Sequence, residues 1–162
     1  YLAAACTSIP AQQKVSECAS IDWWEAGRTD GVAGLPIDRM QTFECRPTEE
    51  ESDLYRNGRE AGLVDYCSPG QALAVGRSGN EYENVCPSNL EETFLSNFKT
   101  GQRIRQLELE NSELQGRIEN LVRLMKATSD ARNIKNQVES LSTRRSVNSS
   151  EIVNLEATSI SF

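Results

Sequence analysis

The sequence predicts a mainly α-helical protein, in which a small disulfide-stapled bundle of short glycine-rich helices precedes a long helix forming a coiled coil or a helical hairpin. Three observations predict it. All five cysteines lie in the first 86 residues, Gly-Arg pairs recur in that stretch behind apolar residues at helical spacing, and beyond residue 90 the apolar residues fall into a heptad-like row. An apolar content of 38% over 162 residues is low for one compact domain and fits a modest core joined to something elongated. The expected organisation is a signal remnant, lipidated cysteine and tether over 1–17, a stapled domain over 18–89, a helical region over 90–157 and a tail over 158–162.

Charge divides the chain in the same way. Residues 1–90 carry 7 Lys/Arg against 14 Asp/Glu, and residues 91–162 carry 10 of each, which accounts for the net −7. No basic stripe is available for phosphates, so nucleic acid is not an expected partner. No run of about 20 apolar residues offers a transmembrane helix.

The cysteines are Cys6, Cys18, Cys45, Cys67 and Cys86. None is spaced as in Cys-x-x-Cys and the chain has no histidine, which argues against a zinc site, and no cofactor or metal is expected. Cys6 follows Leu2-Ala3-Ala4-Ala5. That run resembles the end of a bacterial lipoprotein signal, cut before a cysteine whose thiol is acylated, although the leucine stands one place too far away. On this reading Tyr1–Ala5 are a precursor remnant, Thr7–Gln13 are a polar tether, and acylated Cys6 meets the lipid bilayer. The alternative is a free or interchain thiol. The other four cysteines, paired in order, give Cys18–Cys45 and Cys67–Cys86, one of three possible connectivities. Each bridge closes about 20–28 residues and is worth roughly 3 kcal/mol if unstrained. A front domain this rich in glycine needs such staples, which argues for an oxidising compartment.

Three front segments share a pattern: a large apolar residue (Trp24, Tyr55 or Leu73) three positions before Gly27-Arg28, Gly58-Arg59 or Gly76-Arg77. Another glycine follows three or four residues later, at Gly31, Gly62 and Gly79. Each segment has a helix start ahead of it: Asp22 with Glu25, Thr48 with Glu51, and Ser68-Pro69 with Gln71. Glycine within a helix costs about 0.8–1 kcal/mol relative to alanine. Gly27, Gly31, Gly58, Gly62 and Gly76 are therefore expected to let backbones approach, with Trp24 and Tyr55 packing over the neighbouring helix. A phosphate cradle at Gly-Arg-x-x-Gly is disfavoured because no strand precedes it.

Trp24-x-x-Gly27-x-x-Asp30-Gly31, Tyr66-Cys67 and Tyr82-x-x-Val85-Cys86 stand at joint spacings that resemble an uncharacterised family of Gram-negative envelope lipoproteins carrying a domain-of-unknown-function label. The resemblance covers roughly residues 18–90. It implies a short lipoprotein of the bacterial outer membrane with a C-terminal helical stretch, and it implies no activity.

Ser88-Asn89-Leu90-Glu91 reads as a capping box that starts the long helix. From there Ile104, Leu107, Asn111, Leu114, Ile118, Leu121 and Met125 form the row expected to meet other chains. Asn111 sits at an a position, and Arg103 and Glu108 are placed for an interchain bridge. Val122 and Leu124 widen the stripe, which suggests more than two helices or a chain that folds back. Asp130 offers a cap for a new helix, and Asn148 with Glu151 a further start. Residues 130–157 could return as an antiparallel partner; self-association is slightly favoured.

No catalytic motif is recognised, and no catalytic residue or small-molecule substrate is expected. The expected role is structural or interactive: an envelope lipoprotein that presents a helical rod to itself or to other envelope proteins. The alternative is a periplasmic module that binds glycan or an enzyme through the acidic front domain. There Trp23 and Trp24 beside Asp22, Glu25 and Asp30 would form a subsite; otherwise one tryptophan is core and the acids cap helices or are solvated.

Overall fold

The computed structural model describes residues 20–126 and 131–159. Among them are five α-helices, one 3-10 helix and no strand. The α-helices are α1 (Trp23–Val32), α2 (Glu49–Tyr66), α3 (Pro69–Ser78), α4 (Ser88–Met125) and α5 (Ala131–Ser159), and the 3-10 helix spans Ile37–Thr42. The chain divides into two compact units. The described part of the first is residues 20–66 with 83–87, and of the second 67–82 with 88–126 and 131–159. The division falls inside the stretch expected to be one stapled domain. The short helices are shared between these units: α1 packs on α2, and α3 packs on α4.

Local chemistry sets the helix ends. The Asp22 carboxylate accepts from the Glu25 N–H at 3.0 Å. Thr48 and Glu51 satisfy one another's backbone N–H groups at 2.7 and 3.3 Å, a complete capping box. Ser68 caps α3 with Pro69 in its first turn, and Gly79 ends it at φ 83°. α1 stops at Gly34, whose φ of 67° allows the Gly34 and Leu35 N–H groups to turn back to the Gly31 and Asp30 carbonyls. The Tyr66 ring fills the space a side chain on Gly34 would need. α4 starts after Pro87 as expected. The helix begins on Ser88 itself, and Glu91 accepts from the Tyr82 hydroxyl at 3.2 Å.

The helical glycines explain the cores. A Cβ on Gly27 would lie 2.8 Å from the Tyr55 carbonyl carbon and closer still to its oxygen; one on Gly58 would meet the Trp24 carbonyl in the same way. Gly31 and Gly62 repeat this one turn on, against the Arg59 and Arg28 carbonyls. In the second unit Gly76 meets the Phe98 carbonyl and Gly101 the Leu73 carbonyl. Each glycine thus rests on the carbonyl three residues before its partner glycine, so all three crossings share one geometry. Because 27 matches 58 and 31 matches 62, α1 and α2 run in the same direction. Approach this close supports Cα–H···O contacts and offsets the low helix propensity of glycine.

Side chains complete each core. Trp23 packs edge-on against Phe43, and Phe43 against Tyr55, with centroids 5.4 and 6.2 Å apart. In the second unit Tyr82, Phe94 and Phe98 cluster at 4.5–6.1 Å. Cys67 and Cys86 form a disulfide as expected, and both are buried. Cys45 is also disulfide-bonded; Cys18, its expected partner, and Cys6 lie outside the described residues.

Candidate functional site

The Gly-Arg pairs have a second role beyond close packing. One residue after Gly27, Gly58 and Gly76, an arginine reaches a neighbouring helix or its end. Arg28 of α1 lies 3.8 Å from Asp65 of α2. Buried Arg59 of α2 donates twice to the Leu35 carbonyl just past α1, at 3.2 and 2.7 Å. Arg77 of α3 pairs with Glu108 of α4 and, at 2.8 Å, with Glu156 of α5. These arginines tie helices together, so the Gly-Arg pairs build crossings rather than a phosphate cradle.

Asp30 and Tyr55 form a buried polar pair beside the first crossing, with the Tyr55 hydroxyl donating to the Asp30 carboxylate at 2.6 Å. Burial, and then this bond to a carboxylate, push the Tyr55 phenol well above its ordinary value, with the Arg59 and Arg39 charges opposing weakly. Burial and the nearby Glu83 charge raise Tyr66 as well. Since both folded phenols bind their protons more tightly than unfolded ones, this stability is fully present below the ordinary tyrosine value near 10 and lost as pH rises above it. Alkaline melting followed by circular dichroism should show stability falling above about pH 10, with a shallower fall in Tyr55→Phe. Equal slopes in the two proteins would exclude the assignment.

The acid–aromatic set read from the sequence as a sugar subsite is committed to other contacts. Trp23 is core at 4% exposure, Asp30 is committed to Tyr55 and Asp22 caps α1. Trp24 is 40% exposed. Its carbonyl packs against Gly58 of α2. Glu51 is held below the ordinary carboxylate range chiefly by the Thr48 N–H and then the Thr48 hydroxyl. The buried Trp23 indole N–H adds a smaller contribution without hydrogen-bonding geometry.

The remaining candidate is the long hairpin. α5 returns antiparallel along α4, as the paired positions show: Arg103 meets Glu151 at 2.8 Å, Glu110 meets Arg144 at 2.6 Å, and Asn111 donates to Ser149 at 3.3 Å. The two charges placed for an interchain bridge are therefore taken within the chain, Arg103 by Glu151 and Glu108 by Arg77. Asn148 is not a helix start. It lies within continuous α5 at 7% exposure. There its Nδ2 and the Asn111 Oδ1 are both buried without a partner.

This polar level divides the seam. Ile104, Leu107 and Leu114 are buried. From 115 to 147 none of the described residues is buried: Ile118, Leu121, Val122 and Met125 of α4 and Ile134, Val138 and Leu141 of α5 are half-covered. Leu124 is 57% exposed. The row read as an interface thus separates into a proximal part covered by α5 and a distal part covered only in part. Asp130 and the tail from 160 lie outside the described residues. Three residues escaped the sequence reading: Gly101, whose Phe98-x-x-Gly101 spacing was the available signal, and Arg59 and Asn148, whose burial had none.

Among the described residues no cluster of three or more Cys, Asp or Glu side chains could hold a metal ion, and no helix is long and apolar enough to cross a membrane. No curated protein and no solved structure matches the chain. A family model described as "Protein of unknown function (DUF2799)" matches residues 22–103, which contain all three glycine crossings and the Cys67–Cys86 bridge. The chain belongs to the DUF2799 family of proteins of unknown function.

Proposed function

We propose that this protein is an exported envelope lipoprotein whose role is interaction: the glycine-crossed helices are a mount, and the α4–α5 hairpin is the element presented to an envelope assembly or to further copies of the chain. The observation that carries this reading is the distal hairpin, where an apolar row on two facing helices is left half-covered over some 30 residues. Two helices alone cannot bury a stripe widened by Val122 and Leu124, and a third or fourth helix would. Disulfides at Cys45 and Cys67–Cys86 support an oxidising compartment. On this reading acylated Cys6 is the anchor, and the outer membrane is the location that the resemblance to envelope lipoproteins implies.

A photo-crosslinking residue at Leu124 of the full chain, expressed in its host, is expected to trap a discrete protein band. Replacing 115–147 by a short Gly-Ser loop keeps the buried Ile104, Leu107 and Leu114. It is expected to preserve melting of the rest while abolishing envelope recruitment. Absence of any crosslinked product at Leu124, Val122 and Ile134 alike sinks the interaction role. For the anchor, intact mass of membrane-extracted protein should show a chain starting at acylated Cys6. An unmodified chain retaining Tyr1 overturns that part alone.

A further inference from the structure

The α4–α5 seam is apolar along its length except at one level. The α4 row from Ile104 to Met125 has one polar member, Asn111. The matching α5 row from Ile134 to Leu155 has two, Arg145 and Asn148. Arg145 is exposed and turns out of the seam to the Gln115 side chain. Asn148 stays in it, and among the described residues it is the one buried residue of α5. Because Asn111 donates to Ser149, the neighbour of Asn148, the two asparagines share a level. There an acceptor of one helix, Asn111 Oδ1, and a donor of the other, Asn148 Nδ2, are buried without a partner. Burying such atoms costs free energy that leucines at these positions would not.

What the level supplies is a choice of register. Elsewhere in the two rows one branched apolar residue substitutes for another at little cost. A slip of one heptad moves the turn by about one helical turn, which unwinding one helix end and winding the other would absorb. Slipped one way, Asn148 would stand level with Ile104 and Asn111 with Leu141; slipped the other way, with Ile118 and Leu155. Of the three registers the observed one alone sets amide beside amide. Flanking charges favour it too, since a slip would bring Arg103 to Arg144 or Glu110 to Glu151. Arg103 and Arg144 are exposed, however, so salt screens both of the pairs they make. We infer that Asn111 and Asn148 are a register lock, a buried amide level that lowers the hairpin's stability and holds it to one pairing. The half-covered residues of both helices then form one fixed distal face. Both asparagines lie outside 115–147, so they position that face without belonging to it. The inference goes beyond the interaction reading, and its readout, the register of the purified chain, is independent of any partner.

The test replaces both amides in the full chain, as Asn111→Leu with Asn148→Leu. A photo-crosslinking residue in place of Leu121 reports the register, read by mass spectrometry of crosslinked peptides from the monomer. The reaction is run in about 0.5 M salt, where the flanking charges are screened. With the asparagines present, crosslinks should fall in one cluster around Val138, the residue level with Leu121 in the observed register. The leucine variant should add a second cluster one heptad away, around Ala131 or Arg145, and should melt about 3–6 °C higher. One cluster around Val138 in both proteins overturns the proposal. A lower melting temperature in the variant overturns it as well, because the amides would then be ordinary stabilising contacts. Should the leucine variant aggregate through its longer apolar seam, Asn111→Ala with Asn148→Ala removes the amides while adding less apolar surface. In that variant two clusters support the lock and one overturns it.

Discussion

Gly58→Ala is expected to destabilise the first unit by about 2 kcal/mol, although alanine is the better helix former by about 1. The added methyl would lie 2.8 Å from the Trp24 carbonyl carbon and 3.0 Å from the Arg28 nitrogen, both backbone atoms held within α1. A flexible side chain could swing aside, whereas a helix must move as a body. Moving it would also loosen the Gly31–Gly62 crossing one turn on. Overpacking of this kind costs typically 1–3 kcal/mol and outweighs the gain in propensity. Gly116→Ala supplies the contrast. That glycine is also within a helix, but a Cβ there meets nothing within 4 Å. It should stabilise by up to about 1 kcal/mol. In thermal melts the first variant should fall by about 4–8 °C and the second rise by about 2–4 °C, given the usual scaling for chains of this length. Both tryptophans lie in α1, so indole fluorescence follows the first unit specifically. Shifts of the same sign in both variants would show that the glycines are not there for approach.

Which features were legible in the sequence follows from how local their causes are. Asp22, Thr48 with Glu51, and Ser68 with Pro69 act within one turn, and each caps the helix it was expected to cap. Asn148 with Glu151 is the same kind of signal, and tertiary packing overrode it: α5 runs through, and Asn148 is buried against α4. The heptad positions of Arg103 and Glu108 say what those side chains face. They do not say which chain provides the partner, and here it is the same chain. The recurrence of Gly-Arg was visible as a packing device. Its pairing was not, because the fourth member, Gly101, is followed by Gln102 in place of arginine. Two crossings in one unit and one in the other cannot be deduced from spacing that is nearly the same in all four helices. The half-covered distal seam was foreshadowed by Val122 and Leu124, whose extra apolar surface two helices cannot cover.

Removing the Cys67–Cys86 bridge, as Cys67→Ala with Cys86→Ala, is expected to cost about 3 kcal/mol, the largest single effect. The bridge closes a loop of about 20 residues that contains all of α3. Opening it returns that loop's freedom to the unfolded chain, which is the principal contribution in the loop-entropy account. α3 is only ten residues long, too short to hold its shape in water without tertiary contacts. Its crossing with α4 rests on one glycine pair, Gly76 with Gly101, where α1 and α2 have two. The bridge should therefore matter more to α3 than a second crossing matters to α1. Urea titration followed by circular dichroism should show the midpoint falling in the double variant. Reductant should lower the wild-type midpoint by at least as much, because it also opens the bridge at Cys45. The size of that fall measures how far the fold depends on an oxidising compartment. If the chain needs about 3 kcal/mol from oxidised sulfur to keep α3 on α4, a reducing compartment leaves it close to the few kcal/mol at which small domains unfold. If the midpoint is the same with and without reductant, the staple is dispensable and no longer supports export.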